Sequence, residues 1–391
     1  MSRNPGLFVL VLFTAIAGLI VASSSFAQDD GAQVLTIDHH VPLLATVPAI
    51  AGEQVEIYMR ERVLANIASG SSSTAGGVVL FDHGANDASE HEFDLAYQDY
   101  SWMAFLAKAG FDVFAMDHIG HGLSTRPALM DDPCNASPEQ QQANLIPVPL
   151  AEVCAPTYPN RMSSLASDWD EVDQMVDYLR ALRGVERVSL IGWSMGSGRV
   201  GGYAALHPEK VDRLVLNAGG MLLVSQGNPN AGTAAPGAAI TAYTRQDFEA
   251  GWDHQVKREG QFDPGIRDAI WAAKMASDAV GAGWGPGTSR APLYTPGTTY
   301  SMLATRVQAP TLVIWGEFDA SGDGVTTGAV DQLHALFEAV GAPQKVAVEI
   351  AGASHYALWE TPHLLLYQSS LDWLTEGAIK GVRQGSLRLE D

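Results

Sequence analysis

The sequence is poor in positive charge. Of its 391 residues, 23 are lysine or arginine and 44 are aspartate or glutamate, so the formal net charge at pH 7 is −21. Nucleic-acid binding requires a basic surface, and an acidic chain is repelled by anionic membranes. We therefore expect no nucleic-acid partner and interpret the acidic surface as a source of solubility.

Long apolar runs are also scarce, and the main one lies near the N-terminus. Apolar residues dominate from Leu7 to Val21, with Arg3 as the only charge before them. This run is shorter than the ~20 residues that a transmembrane helix needs. Small residues precede Ala27, so the pattern predicts a signal peptide over residues 1–27. The mature chain would be secreted or periplasmic, without a stable membrane anchor; an uncleaved anchor is the alternative.

Cysteine is nearly absent. Cys134 and Cys154 are the only two, and both lie in a polar, proline-containing stretch at 126–160. In an oxidising compartment we expect them to form a disulfide, with two free buried thiols as the alternative. No cluster of histidine, cysteine or aspartate has the spacing of a zinc site. We therefore expect neither a metal nor an organic cofactor.

The most informative motif is Gly-Trp-Ser-Met-Gly at 192–196. An apolar run at 188–191 precedes it, and a predicted helix follows over Gly198 to Leu206. Glycines two residues to either side allow a strand to turn sharply into a helix, which exposes the hydroxyl of Ser194 at the helix N-terminus. The pattern predicts a nucleophile elbow. A chance match in a glycine-rich loop is the alternative, which the flanking strand and helix disfavour.

Two candidate partners for Ser194 follow later strands. Apolar runs at 311–315 and 346–350 precede Asp319 and His355, respectively. The chain order serine, aspartate, histidine predicts His355 as general base and acid and Asp319 as the acid that orients it. Asp323 is close enough to be a rival acid. A turn-forming role for Asp319 and a purely structural role for His355 also stay open at this point.

The strand at 78–81 leads into Asp82-His83-Gly84-Ala85. A loop of this kind supplies one backbone N–H to an oxyanion hole, and the residue after the nucleophile supplies the other. The predicted donors are Ala85 and Met195. We interpret His83 and His121 as structural. For the polar residues beyond Ala85 we expect a solvated loop, with a position lining the mouth of the site as the alternative: Asn86, Asp87, Glu90 and His91.

Together these motifs resemble the α/β-hydrolase fold superfamily, of the serine esterase and lipase-like type, from about Val78 onward. The resemblance rests on His83-Gly84, Gly110 to Val113, Asp117 to Ser124, Gly192 to Gly196, Gly316 to Asp319, and His355 with Glu360-Thr361-Pro362. It implies an α/β fold with a mostly parallel eight-stranded sheet, flanked by helices and carrying a helical cap insertion. His118 stands where many members have arginine, and we assign it no function.

Strand–helix alternation predicts one core that an insertion interrupts. The first part of the core would span 28–220, including a disulfide-pinned insertion at about 126–160, and the second part would span 306–391. Residues 221–305 would form the cap. Its aromatic residues are candidates for an apolar lid, although we expect only two or three to contact a substrate: Tyr243, Phe248, Trp252, Phe262, Trp271, Trp284, Tyr294 and Tyr300.

Apolar periodicity predicts the helices of the core. A spacing of 3.6 residues indicates a long helix over Ser164 to Arg183, ended by Gly184. The first crossover helix is predicted over Leu95 to Ala109 and a late one over Thr361 to Glu376. The strand at 346–350 is predicted to be the last.

These residues predict an exported serine hydrolase that cleaves a carboxylic ester with an apolar moiety through an acyl-enzyme on Ser194. The expected partner is a small apolar or aromatic ester. The resemblance also implies that dehalogenase or epoxide hydrolase chemistry is absent, because those enzymes carry aspartate at the elbow. A lactonase or an amidase of the same fold is one alternative. A non-catalytic small-molecule-binding protein that keeps the fold is another, from a different class.

Overall fold

The computed structural model describes residues 33–70, 76–219, 234–295, 303–320 and 329–390. The predicted signal peptide, Asp323 and Tyr300 lie outside these residues. Within the described ranges, no helix is long and apolar enough to cross a membrane.

A nine-stranded sheet forms the centre of the molecule, in the order β1-β2-β4-β3-β6-β7-β11-β12-β13. Its strands are β1 (Val34–Leu44), β2 (Gln54–Leu64), β3 (Val78–Asp82), β4 (Asp112–Met116), β6 (Val188–Trp193), β7 (Val211–Asn217), β11 (Thr311–Gly316), β12 (Lys345–Ile350) and β13 (Gly385–Leu389). The pairs β1–β2 and β2–β4 are antiparallel, and all later pairs are parallel. Within the described ranges, four short strands lie outside this sheet: β5 (Ser163–Ser164), β8 (Ile240–Thr244), β9 (Thr288–Pro292) and β10 (Tyr294–Thr295).

The prediction of eight strands with the last at 346–350 is wrong, because β13 adds a ninth. β13 pairs with β12 in parallel from Val346↔Gly385 to Ile350↔Leu389. The preceding helix ends at Gly377 in the left-handed conformation and returns the chain to the sheet edge. β13 is short, begins with glycine and has exposed polar side chains, so its sequence lacks the apolar run that marks the buried strands.

The helices are α1 (Ala65–Ala68), α2 (Ser89–Phe93), α3 (Trp102–Lys108), α4 (Pro138–Gln140), α5 (Leu165–Arg183), α6 (Met195–Leu206), α7 (Arg245–Asp253), α8 (Ile266–Ser277), α9 (Ala279–Ala282), α10 (Ala329–Ala339) and α11 (His363–Glu376). Short 3₁₀ turns occupy Pro48–Ile50, Ala128–Asp131, Pro133–Asn135 and Ala357–Trp359, and a π turn occupies Gln141–Leu145.

The ends of the helices follow from their caps. The Ser164 hydroxyl accepts the backbone N–H of Ser167 at the start of α5, and Gly184 ends that helix with φ +65°. The first crossover helix is shorter than predicted because Ser101 caps it: its hydroxyl accepts the backbone N–H of Ala104. Leu95 and Tyr100 are buried, but neither belongs to a helix.

The central strands separate two apolar clusters. Leu80 and Leu190 pack into one cluster, whereas Val79, Phe81 and Ile191 pack into the other. Because successive side chains of a strand point to opposite faces, both faces of β3 and β6 are covered. The loops at the carboxyl ends of these strands are thereby held on a rigid base.

The disulfide between Cys134 and Cys154 is present, with sulfur atoms 2.06 Å apart, so the two thiols are not free. Buried Gln141 lies between them: its amide donates to the carbonyl oxygens of Cys134 and Cys154 at 3.1 and 3.2 Å and its oxygen accepts the Cys154 N–H at 2.9 Å. Bridge pairings join this insertion to the segment after it, at Ala136↔Ile240 and Asn160↔Pro236.

The described part of the predicted cap contains α7, α8 and α9 with an antiparallel pair, β8–β9. Its role as a cap stays a prediction. Most of its aromatic side chains pack inward: Phe248, Trp252 and Trp271 join the core cluster that contains Tyr356 and Trp359.

Candidate active site

The turn at Ser194 has the geometry of a nucleophile elbow. Ser194 joins β6 to α6 with φ +53°, a conformation that L-residues seldom adopt. A Cβ on Gly192 would lie 2.4 Å from the backbone of Gly196, and one on Gly196 would lie 2.0 Å from the carbonyl oxygen of Asp82. Glycine is therefore required at both positions, and Ser194 stands at the N-terminus of α6.

The structure brings Ser194, His355 and Asp319 together. Ser194 Oγ lies 3.0 Å from His355 Nε2, and His355 Nδ1 lies 3.0 Å from Asp319 Oδ1. His355 is 2% and Asp319 6% exposed. Because a carboxylate only accepts hydrogen bonds, Nδ1 carries the proton and Nε2 can accept the serine hydroxyl.

Two further side chains hold the backbone of His355, and sequence reasoning missed both. The indole N–H of Trp193 donates to the carbonyl oxygen of His355 at 2.9 Å. The side-chain oxygen of buried Gln255 accepts the N–H of His355 and that of Ala320, both at 3.1 Å. Gln255 thus links the loops that carry the base and the acid, and no sequence motif marks it.

Glu360 organises the loop on the other side of His355. Its carboxylate accepts the N–H and the hydroxyl of Ser354, both at 2.7 Å, the indole N–H of Trp252 at 3.0 Å and the amide of Gln261 at 2.8 Å. Burial raises the pKa of Glu360, and these four donors oppose the rise. The motif Glu360-Thr361-Pro362 therefore has a structural role beside the base.

The loop after β3 presents one of the predicted oxyanion donors. In the described residues, neither the N–H of Ala85 nor that of Met195 donates a hydrogen bond. The neighbouring N–H of Gly84 is occupied, because both oxygens of Glu92 accept it at 3.0 Å. Burial raises the pKa of Glu92 well above its usual range. Glu92 thus orients the loop and leaves Ala85 free to donate.

A buried ionic cluster lies behind this loop. His118 donates to Glu171 at 2.7 Å and to Asp82 at 3.1 Å. Burial and the charge of Arg199 lower the pKa of His118, but Asp82 and Glu171 outweigh them and raise it to about 10. His118 is therefore a cation at neutral pH.

The expectation of a solvated loop beyond Ala85 is wrong. His91 is 2% exposed and the Asp87 side chain 14%. The cause is Lys274 of α8, whose ammonium contacts the Asp87 carboxylate and donates to the carbonyl oxygen of Asn86 at 3.1 Å. Burial lowers the pKa of Lys274 to about 7, while the contact with Asp87 favours its charged form.

A small pocket of about 130 Å³ lies beside the two predicted oxyanion donors. Its lining comprises Ala85, Asn86, His121, Ser163, Met195, Arg199, Pro292, Leu293 and Tyr294. No residue of the predicted triad lines this pocket or the two larger surface clefts, of about 610 and 460 Å³; the small pocket differs from them in containing Ala85 and Met195. Sequence reasoning missed Arg199, whose signal was available: it is the only charged residue of α6.

The described part of the chain contains no group of histidine, cysteine, aspartate or glutamate residues that could hold a metal ion.

Comparison with known families identifies the fold. Residues 77–362 match the family model described as alpha/beta hydrolase fold. This match covers most of the sequence, so the chain belongs to the α/β-hydrolase fold family. Curated proteins give no significant match.

Solved structures of similar shape include three hydrolases. A probable hydrolytic enzyme from Pseudomonas aeruginosa PAO1 is 19% identical with a TM-score of 0.48, over 86% of this chain and 93% of that one. A meta-cleavage product hydrolase from Pseudomonas fluorescens IP01 is 14% identical with a TM-score of 0.48, over 86% and 98%. The 2-hydroxy-6-oxo-6-phenylhexa-2,4-dienoate hydrolase from Rhodococcus sp. strain RHA1 is 15% identical with a TM-score of 0.47, over 86% and 99%.

Proposed function

We propose that this protein is an exported serine hydrolase that cleaves carboxylic esters through an acyl-enzyme on Ser194. The observation that carries the proposal is the chain of two 3.0 Å hydrogen bonds from Ser194 through His355 to Asp319. A nucleophile bonded to a base, which a third group orients, is the arrangement that serine hydrolysis requires.

The proposed reaction begins when Ser194 Oγ attacks the carbonyl carbon while His355 Nε2 takes its proton. His355 then returns a proton to the leaving alcohol, and Asp319 stabilises the imidazolium that forms between the two steps. A water molecule, activated by the same imidazole, hydrolyses the acyl-enzyme. Every proton transfer in this scheme passes through one nitrogen, Nε2.

The proposed oxyanion hole consists of the N–H groups of Ala85 and Met195. Both are unpaired in the described residues, and Met195 begins α6, so the helix dipole also favours negative charge there. Loss of one such donor costs about 2.7–4 kcal/mol of transition-state stabilisation in comparable sites. The partner would be a small ester, with lactone or amide cleavage as variants of the same chemistry.

Export is part of the proposal. The apolar stretch before Ala27 and the Cys134–Cys154 disulfide both support it, because disulfides persist in oxidising compartments. Determination of the N-terminal residue of the protein recovered from its native host tests it. Cleavage after Ala27 is expected, and an intact N-terminus on a cytosolic protein would contradict it.

Labelling with a fluorophosphonate probe tests the nucleophile. We expect the wild type and the control Ser277→Ala to be labelled, because Ser277 lies on α8 with its hydroxyl bonded to the Lys274 carbonyl oxygen. Ser194→Ala should lose the label and all esterase activity. A folded wild type that takes no label would instead favour the non-catalytic binding protein.

A panel of substrates then distinguishes ester cleavage from lactone and amide cleavage. p-Nitrophenyl esters of rising acyl length, aryl esters, lactones and amides are compared by kcat/KM. The proposal expects esters to be the best substrates. Exclusive cleavage of lactones or amides would replace the ester assignment while retaining Ser194 as nucleophile.

A further inference from the structure

The pocket beside Ala85 and Met195 is small and contains several polar groups that the proposed reaction does not use. Its volume of about 130 Å³ is roughly four times the ~30 Å³ that one water molecule occupies in the liquid. It therefore accepts a group of about four non-hydrogen atoms. Because its wall includes both proposed oxyanion donors, such a group belongs to the acyl side of a substrate.

Arg199 supplies the first of these polar groups. Its Nε donates to Asp168 at 2.7 Å, and its Nη1 donates to the carbonyl oxygen of His83 at 2.9 Å and to Asp82 at 3.3 Å. Its Nη2 donates no hydrogen bond to any described residue, although Arg199 is only 3% exposed. Met195 precedes it by four positions on α6, so the two lie on one helix face, with Cβ atoms roughly 5–6 Å apart.

His121 supplies an acceptor. Its Nδ1 lies 2.9 Å from the carbonyl oxygen of Asp87, which only accepts, so Nδ1 carries the hydrogen and Nε2 has a free lone pair. Burial, together with the charge of Arg199, lowers the pKa of His121 well below its usual range. The ring is therefore neutral at physiological pH, and across the described ranges its Nε2 has no donor.

Two hydroxyl groups complete the set. Ser163 precedes the N-cap of α5 and is 7% exposed, and Tyr294 belongs to β10, which pairs with β5. Among the residues that the structure covers, neither hydroxyl makes a hydrogen bond. All four of these polar side chains line one cavity, and none of the four atoms bonds to a described residue, so the cavity offers a polar group several hydrogen-bond partners.

The charged side chains around the pocket determine whether a charged or a neutral substrate group can bind there. Three carboxylates, Asp82, Asp168 and Glu171, already face only two cations, Arg199 and His118. A carboxylate in this enclosed space would bring a further, uncompensated negative charge, which is costly to bury. A neutral hydroxyl avoids that cost, and it can accept from Arg199 Nη2 while donating to His121 Nε2.

We propose that the substrate is an ester of a short hydroxy acid, whose acyl hydroxyl binds between Arg199 Nη2 and His121 Nε2. This rests on the proposed ester hydrolysis and names its substrate class. A 3-hydroxybutyryl group matches the pocket, since it has four non-hydrogen atoms beyond the carbonyl carbon. Arg199 is then a specificity-determining residue, and the second lone pair of the acyl hydroxyl can accept a hydrogen bond from either Ser163 or Tyr294.

The ratio of kcat/KM for p-nitrophenyl 3-hydroxybutyrate to that for p-nitrophenyl butyrate tests the proposal. We expect a wild-type ratio above about ten, since two hydrogen bonds of ~1 kcal/mol each give this factor or more. Arg199→Lys should lower the ratio about fivefold, and only one of Tyr294→Phe and Ser163→Ala should lower it further by a similar factor, because the hydroxyl oxygen accepts at most two hydrogen bonds. Tyr178→Phe, a matched control on α5 whose hydroxyl contacts His39, should leave it unchanged.

Two results would overturn the proposal in this assay: a wild-type ratio near one, or a preference for the p-nitrophenyl half-ester of succinic acid, which carries a carboxylate. General damage to the fold would lower kcat/KM for both esters by the same factor. A purely structural role of Arg199 would therefore leave the ratio of the two kcat/KM values unchanged in Arg199→Lys. Cleavage of plain butyrate with a ratio of one would retain the proposed function and reject only the hydroxyl pocket.

A binding measurement is independent of turnover. Calorimetric titration of Ser194→Ala with ethyl 3-hydroxybutyrate and with ethyl butyrate compares the two acyl groups in an intact pocket. We expect the hydroxy ester to bind about tenfold more tightly. Equal affinities would reject the hydroxyl pocket even if the protein proves to have no esterase activity.

Discussion

The indole N–H of Trp193 and the carbonyl oxygen of His355 form a hydrogen bond of 2.9 Å. Trp193 is the residue immediately before Ser194, so its side chain joins the elbow to the backbone of the loop that carries the proposed base, in addition to the bond between Ser194 and His355. The ring centroids of Trp193 and His355 are 5.2 Å apart, and Trp193 is 2% exposed. The distance between nucleophile and base is thus maintained by a contact that takes no part in proton transfer.

Trp193→Phe should lower kcat about ten- to hundredfold with little change in KM, because a displacement of the base by ~1 Å weakens proton transfer more than binding. The unpaired carbonyl should also cost about 1–3 kcal/mol of unfolding free energy. Steady-state kinetics and urea unfolding measure both. The matched control is Trp315→Phe, because the indole N–H of Trp315 makes no hydrogen bond among the described residues. Equal losses of kcat in the two variants would contradict this role of Trp193.

Asp319→Asn should lower kcat about 10⁴-fold, because an amide in place of the carboxylate favours the wrong tautomer of His355 and cannot stabilise the imidazolium. Esterase kinetics at saturating substrate measure the effect, and thermal unfolding verifies the fold. Asp323→Asn is the comparison variant and should retain near wild-type turnover. Loss of turnover in Asp323→Asn, with near wild-type turnover in Asp319→Asn, would instead identify Asp323 as the acid that orients His355.

His118→Gln should destabilise the protein in a pH-dependent manner. The pKa of His118 is raised to about 10 in the folded state, against a usual value near 6.5, so its charge stabilises the fold fully below about pH 6.5. That contribution is lost as the pH rises through about 10. At pH 6 the variant should be less stable by about 3–5 kcal/mol, because Glu171 loses its cation and Asp82 loses one of its two.

Urea unfolding at several pH values measures this effect. The difference in unfolding free energy between the wild type and His118→Gln should decrease steadily from pH 7 to pH 10. His40→Gln is the control, since the His40 side chain is 53% exposed and should change stability little at any pH. A difference that is constant over this range would contradict the assignment of His118 as a buried cation.

Removal of the disulfide should lower the unfolding free energy by about 3 kcal/mol, as the loop-closure model gives for a loop of roughly 20 residues. The double variant Cys134→Ser/Cys154→Ser is compared with wild type in urea, with and without dithiothreitol. Reductant should bring the wild type to the stability of the variant and leave the variant unchanged. A variant as stable as the oxidised wild type would show that Gln141 alone maintains the insertion.

Structural features that depend only on neighbouring residues could be predicted from the sequence. The glycines around Ser194 are demanded by backbone approaches of 2.0 to 2.4 Å, and the cap at Ser164 and the left-handed Gly184 define the ends of α5. The proximity of Ser194, Asp319 and His355 was predictable from chain order, because the carboxyl ends of parallel strands meet at one edge of a sheet.

Sequence reasoning failed where the decisive contact is distant along the chain. His118 becomes a cation through Asp82 and Glu171, and the loop at Asp87 is buried by Lys274, which is 187 positions away. The ninth strand was missed for a different reason. An edge strand needs pairing with only one neighbour, so β13 carries no buried apolar run.

The contact of Lys274 with Asn86 and Asp87 limits which segments of this protein can be exchanged with those of other α/β-hydrolase fold proteins. Residues 234–295 form one continuous segment of the sequence, which suggests that the segment could be exchanged as a unit. However, Lys274 of this segment is the counter-ion of Asp87, which lies near Ala85 in the core. A chimera that replaces the segment alone would leave Asp87 buried without its cation and would disturb the turn that presents the Ala85 N–H. Grafts into this scaffold should therefore transfer the lysine and the Asn86-Asp87 dipeptide as one unit.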